Sequence, residues 1–207
     1  MARTKSSKAW LREHVTDPYV KRAQTEGYRS RAAYKLQQIA ARDKLFRAGM
    51  TVVDLGAAPG GWSQIAAQAV APGGRVFALD ILEMPPLCGV TCVRADFRNE
   101  LTHSELERLL AGEPVDLVLS DMAPNMSGIA AADQARVMAL AELALDFTVK
   151  HLKPQGKFLV KVFQGAGFDA FLRAMRERFR QVVVRKPEAS RSRSSEVYLL
   201  GKNVRNT

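Results

Sequence analysis

The chain has 207 residues, 47% hydrophobic and 25% charged. That suits one globular domain with at most a short appendage, and excludes both a disordered tail and two full domains. No apolar run reaches the roughly 20 residues of a membrane-crossing helix. Met1 to Lys8 is basic but lacks the apolar stretch of a signal peptide. The two cysteines, Cys88 and Cys92, exclude a disulfide scaffold and point to a reducing cytoplasm.

The net charge of +10 is unevenly spread. Residues 1–47 carry 12 Lys/Arg against 4 Asp/Glu, residues 48–170 carry 9 against 14, and residues 171–207 carry 10 against 3. Basic ends around an acidic middle predict one positive face, because chain termini often lie near each other on the surface. Such a face attracts a polyanion, most commonly nucleic acid.

Residues 1–28 read as a basic arm and residues 29–207 as a single domain. Helical spacing runs from Arg31 to Leu45, with Tyr34, Leu36, Ile39, Ala40 and Leu45 as buried positions and Ser30 as N-cap. Met50–Leu55 reads as a buried strand, followed by a glycine-rich turn and a helix from Gly61 to about Val70. Strands follow at Arg75–Asp80 and Val90–Val93, a helix at Leu101–Ala111, and a strand at Val115–Ser120. A long helix over Ala130–His151 closes on Pro154 and Gly156. Then come a strand at Lys157–Val162, a helix at Phe168–Phe179, and strands at Gln181–Val184 and Val197–Leu200. This alternation predicts an α/β fold, a doubly wound, mostly parallel sheet of about seven strands. Ligands of such sheets sit beyond the carboxyl ends of the strands, which gathers Asp54, Asp80, Asp121 and Lys161 on one rim.

The strongest local signal is the turn Asp54-Leu55-Gly56-Ala57-Ala58-Pro59-Gly60-Gly61-Trp62-Ser63-Gln64. Glycines there let backbone approach a ligand closely, and the following helix offers free N–H groups. The spacing departs from the Gly-x-Gly-x-x-Gly of dinucleotide sites, and the Gly-Lys-Ser/Thr of a P-loop is missing. Asp80, 24 residues after Gly56, is placed to accept from ribose hydroxyls, and Asp96 from an adenine amino group. Cys88, Cys92 and the nearest histidine, His103, have no zinc spacing, so no metal is expected; His14, His103 and His151 form no acid–base set.

The turn resembles the cofactor loop of S-adenosyl-L-methionine-dependent methyltransferases, specifically the FtsJ/RrmJ family of ribosomal RNA ribose 2′-O-methyltransferases. Further motifs agree in order: Tyr28-Arg29-Ser30-Arg31-Ala32-Ala33-Tyr34-Lys35-Leu36, Ser120-Asp121-Met122-Ala123-Pro124-Asn125, Leu159-Val160-Lys161-Val162-Phe163-Gln164-Gly165, and Ser190-Arg191-x-x-Ser194-x-Glu196-Val197-Tyr198. The resemblance implies a Rossmann-like methyltransferase fold and a Lys-Asp-Lys-Glu catalytic set at Lys35, Asp121, Lys161 and Glu196. It also implies cofactor contacts at Gly56, Gly60, Trp62, Asp80, Asp96 and Asp121. The implied substrate is a uridine of large-subunit (23S) ribosomal RNA. So small a chain lacks a separate RNA-reading domain, which makes the assembled 50S subunit the expected substrate, and a cytoplasmic monomer with no membrane partner is the expected form.

The chemistry of these residue types is consistent with that reading. A ribose 2′-hydroxyl is a weak acid, so a positioned base assists its methylation. Lysine serves when burial or nearby cations favour its neutral form. Lys161 is the expected base, Asp121 its orienting partner, and Lys35 and Glu196 position the ribose. Exocyclic-amine methyltransferases resemble one another in an Asn/Asp-Pro-Pro-aromatic turn. Here Met122 and Ala123 replace the first prolines and position 125 is Asn, which favours oxygen methylation. Arg12, Lys21, Arg22, Arg29, Arg31, Lys186, Arg191 and Arg193 are the expected phosphate contacts.

Overall fold

The computed structural model describes residues 16–205. Two helices, α1 (Pro18–Glu26) and α2 (Ala32–Asp43), precede the sheet. There follow β1 (Thr51–Leu55), α3 (Gly61–Val70), β2 (Arg75–Asp80), β3 (Val90–Arg94), α4 (Glu100–Leu110), β4 (Val115–Ser120) and α5 (Ala130–His151). The chain ends with β5 (Leu152–Phe163), α6 (Phe168–Arg178), β6 (Phe179–Arg185) and β7 (Glu196–Val204). The seven strands lie in the order β3-β2-β1-β4-β5-β7-β6. All pairs are parallel up to β5, and β7 runs antiparallel between β5 and β6.

Side-chain alternation explains why helices cover both faces. Val53, Leu55, Val118, Phe158 and Val160 belong to the core formed with α4, α5 and α6. Val52, Leu117, Leu119 and Leu159 pack with α2 and α3 on the opposite face. Every residue of β1 and β4 is buried, as central strands sandwiched between two helical layers require.

Three sequence expectations change. Within the expected arm, residues 18–26 form a helix: the Asp17 side chain accepts from Tyr19 N at 2.9 Å, Pro18 opens the first turn, and Gly27 closes it at φ 74°. Its Ala23 packs with Tyr34 and Ala189, so this helix is docked on the domain. Ser30 does not cap α2; Arg31 holds that position, and the Ser30 hydroxyl instead lies against Gly61, where a Cβ would collide with it. Pro154 and Gly156 lie inside β5, which begins directly after α5 and shifts register against β4 between Val115 and Leu117.

Candidate active site

The arrangement of the candidate rim follows from strand register. Lys161 pairs with Tyr198 across the antiparallel β5–β7 ladder, so both side chains project from the same face. Glu196 lies two residues from Tyr198 on that face. Asp121 follows Ser120, whose β5 partner is Val160, which sets Asp121 beside Lys161. Lys161 is only 8% exposed, and its Nζ donates to the Asp121 carbonyl at 2.6 Å and meets Asp121 Oδ1 at 3.0 Å. From α2, Lys35 Nζ reaches Glu196 Oε1 at 2.7 Å.

The four residues implied by the resemblance therefore converge, and a fifth joins them. The Tyr198 hydroxyl lies 3.2 Å from Glu196 Oε1 and 3.4 Å from Asp121 Oδ1. A hydroxyl carries one proton, so it donates to one carboxylate at a time. Ser190 Oγ adds a 3.0 Å bond to Glu196. Burial alone would raise the Glu196 carboxyl; Lys35, with Lys161 and Ser190, outweighs it and brings the group below its ordinary value. Burial, then Asp121 and Glu196, push the Tyr198 phenol well above its usual range, so it remains a neutral link. Tyr198 was legible in the sequence only as the i+2 neighbour of Glu196 on a strand.

The cofactor side is built at the carboxyl ends of β1 and β2. Asp80 Oδ2 accepts from Ala58 N at 2.9 Å and Oδ1 from Leu82 N at 2.8 Å, tying the turn after β1 to the turn after β2. Gly56 has φ 75°, and a Cβ there would stand 2.7 Å from the Met122 backbone, so only glycine fits. Gly60, at φ 106°, leads into α3, whose first-turn amides have no intrahelical acceptor. Asp54 is fully buried; Oδ2 accepts from Ser63 Oγ at 2.6 Å and Oδ1 has no partner among the described residues. Burial, reinforced by Asp121 and Asp80, raises its carboxyl to about 7. A buried carboxyl that Asp121 and Asp80 press further upward, beside a turn too tight for a Cβ, fits a cationic ligand such as a sulfonium cofactor.

Two expected cofactor contacts also have partners within the protein. The Trp62 ring is buried against Tyr198, 5.7 Å between centroids, and donates from Nε1 to the Ala32 carbonyl at 2.8 Å. Its indole therefore holds α2 against α3. Asp96 is held by Arg98, which donates from its backbone N, Nε and Nη2 at 2.6–3.1 Å and keeps the carboxyl below its usual value.

Several expected phosphate contacts are likewise engaged inside the protein. Arg29 donates to the carbonyls of Pro85 at 2.7 Å, Pro86 at 2.8 Å and Pro59 at 3.3 Å. It straps the turn after β2 to the glycine turn and is not a free cation. Gln64 continues the stitching, accepting from Arg29 N at 2.7 Å and donating to the Gly27 carbonyl at 3.0 Å. Arg31 binds Asp17 and the Ala189 carbonyl, Arg22 pairs with Glu26, and Lys186 donates to the Ser194 carbonyl. Asp17 also meets Arg191 at 3.8 Å, so the two basic ends of the chain do come together. Arg12 lies outside the described residues.

The sheet order, with its antiparallel β7, and a glycine turn between β1 and α3 define the class: an S-adenosylmethionine-dependent methyltransferase. A model of FtsJ-like methyltransferases matches residues 28–204. The chain is 60% identical over 203 residues to the ribosomal RNA large subunit methyltransferase E of Stenotrophomonas maltophilia, covering 98% of this chain and 97% of that protein. It is 61% identical over 206 residues to the Methylobacillus flagellatus protein of the same name, covering 100% of each. A crystal structure described as a ribosomal RNA methyltransferase of Plasmodium falciparum shares the fold, with a TM-score of 0.76 over 86% of this chain and 98% of that one, at 23% identity. The chain belongs to the FtsJ-like methyltransferase family.

Proposed function

We propose that this enzyme methylates the ribose 2′-oxygen of a uridine in large-subunit (23S) ribosomal RNA, on the assembled 50S subunit, with Lys161 as general base. The observation that carries this reading is the meeting of Lys161 with Asp121 and Tyr198 on the rim beside the cofactor turn. The names of the full-length relatives support the substrate class. The cofactor, when bound, supplies a methyl group made electrophilic by a positive sulfur. Gly56, Gly60 and Asp80 would hold it, with the α3 amides at the Trp62 end.

The side chains do the rest. Lys35 and Glu196 orient the ribose, and Lys161 Nζ takes the proton from the 2′-hydroxyl as the oxygen attacks. The ammonium so formed is stabilised by Asp121, which already contacts Nζ through both its carboxylate and its carbonyl. That same pairing supports a second role, in which Lys161 stays an ammonium and steers the 2′-oxygen by hydrogen bonding while the hydroxyl proton leaves to water as the methyl arrives. Lys161→Arg separates the two: a guanidinium stays charged and cannot take the proton, so the base reading predicts loss of turnover and the steering reading predicts that much of it is kept. The catalytic domain runs from residue 29 onward and works as a monomer, with α1 as a docked extension.

The test is to incubate the protein with labelled cofactor and unmethylated large subunits, then map the modified ribose. Lys161→Ala is expected to lower turnover by about 10²–10⁴-fold while leaving cofactor binding intact. Wild-type turnover in that variant would remove the assigned base.

A further inference from the structure

At the end of the sheet away from the catalytic rim lies an open cleft of about 630 Å³ that the reaction does not use. Four cations line it, Lys44, Arg47, Lys153 and Lys157, against one carboxylate, Asp116. Asp116 is already engaged by Lys153 at 2.8 Å, Arg47 at 3.5 Å and the Thr51 amide at 2.9 Å. Nearby, Asp43 is held by Arg185 and Lys202 at 2.7–2.9 Å. Among the described residues, Lys44 and Lys157 make no ion pair with a carboxylate; Lys157 Nζ donates to the Lys44 carbonyl. Burial, and then the charge of Lys202 with that of Arg47, press the Lys157 amine below its ordinary value despite Asp43. Positive charge is thus concentrated here beyond what the protein itself neutralises, although the middle of the chain is acidic overall.

The cleft is aligned with the catalytic rim. Lys157 precedes Lys161 by four residues on β5, on the same face, which is ~13 Å along a strand. Lys44 ends α2, nine residues after Lys35, which again is ~13 Å along a helix. Leu36 and Leu159 close the core between the two ends, so RNA touching both must pass around the covering helices, a path longer than this straight span. We propose that this cleft binds the phosphodiester backbone of the RNA substrate at a point remote from the methylated ribose, as a second anchor for the strand. The proposal rests on RNA being the substrate.

The variant Lys44→Asn/Arg47→Gln/Lys157→Gln removes three charges while respecting geometry, since Asn tolerates the φ of 49° at Lys44. Equilibrium binding to unmethylated large subunits is measured from 50 to 200 mM salt, independently of methyl transfer. Each lost phosphate contact is expected to make the dependence of log K on log salt shallower by about 1, and the KM for particles to rise with the KM for cofactor unchanged. Arg47→Gln alone, at a mostly exposed side chain, leaves Asp116 its bonds to Lys153 and the Thr51 amide and is expected to flatten the slope by about 1. Wild-type slope and affinity in both variants overturn the anchor. Failure of the substrate reading shows separately, as wild-type protein that binds particles without methylating them.

Discussion

Lys161 and Tyr198 stand opposite each other on the β5–β7 ladder and end on the same atom, Asp121 Oδ1, at 3.0 and 3.4 Å. The phenol thereby connects the Lys161–Asp121 pair to the Lys35–Glu196 pair. Tyr198→Phe keeps the ring against Trp62 and deletes only that link. Turnover is expected to fall roughly five- to tenfold, as for loss of a hydrogen bond of about 1–1.5 kcal/mol, with little change in Tm. Single-turnover methyl transfer beside a thermal melt decides it; unchanged turnover would make Tyr198 mere packing.

Arg29 behaves as a brace of the cofactor turns. Removing it frees the carbonyls of Pro59, Pro85 and Pro86 and loosens both turns around Asp80. Arg29→Ala is expected to raise the KM for cofactor on the order of tenfold, about 1.4 kcal/mol, with kcat and the KM for RNA changed much less. Lysine should not rescue, because a single ammonium lacks the fork that spans Pro85 and Pro86. A larger effect on the KM for RNA would restore Arg29 as a phosphate contact.

Gly56→Ala meets two penalties at one position, a φ of 75° and a Cβ 2.7 Å from the Met122 backbone. The expected loss is about 2–3 kcal/mol in denaturant unfolding, together with weakened cofactor binding. Gly49, before the opposite end of β1, at φ 78° with open space around it, provides the contrast: Gly49→Ala meets only the backbone strain and should cost less.

Asp54 predicts a pH effect. Its folded value of about 7 lies above the unfolded carboxylate value of about 4, so between these the native state holds an extra proton. Stability without cofactor therefore declines as pH rises from about 4 through 7. A cationic cofactor favours the ionised form, so its binding releases a proton and tightens from pH 6 to pH 8. Calorimetry in buffers of different ionisation enthalpy reads that proton. Asp54→Asn is expected to abolish the release; an unchanged release would assign it to another group.

What the sequence determined by itself is what local pattern encodes. The short apolar runs of β1, β4 and β5 and the helical spacing in α2 and α5 follow from which faces must be buried, and the glycines at 56 and 60 from backbone torsion. Asp121 and Lys161 were equally visible, because strand ends of a doubly wound sheet share one rim, whereas Lys35, on a helix, and Glu196, at the start of β7, were legible only through their motifs' resemblance to a family. The helix α1 was legible too, in Asp17-Pro18 and Gly27, but it buries so few aliphatics that periodicity understated it. Only the tertiary structure decided where the long polar side chains end. Arg29 takes carbonyls up to 57 residues away, Trp62 one 30 residues back, and Tyr198 a carboxylate 77 residues back. The basic cleft likewise gathers Lys44 and Lys157, 113 residues apart in sequence. Such partners are chosen by whichever unpaired donors and acceptors the packed elements bring within ~3 Å, a distance no local pattern records.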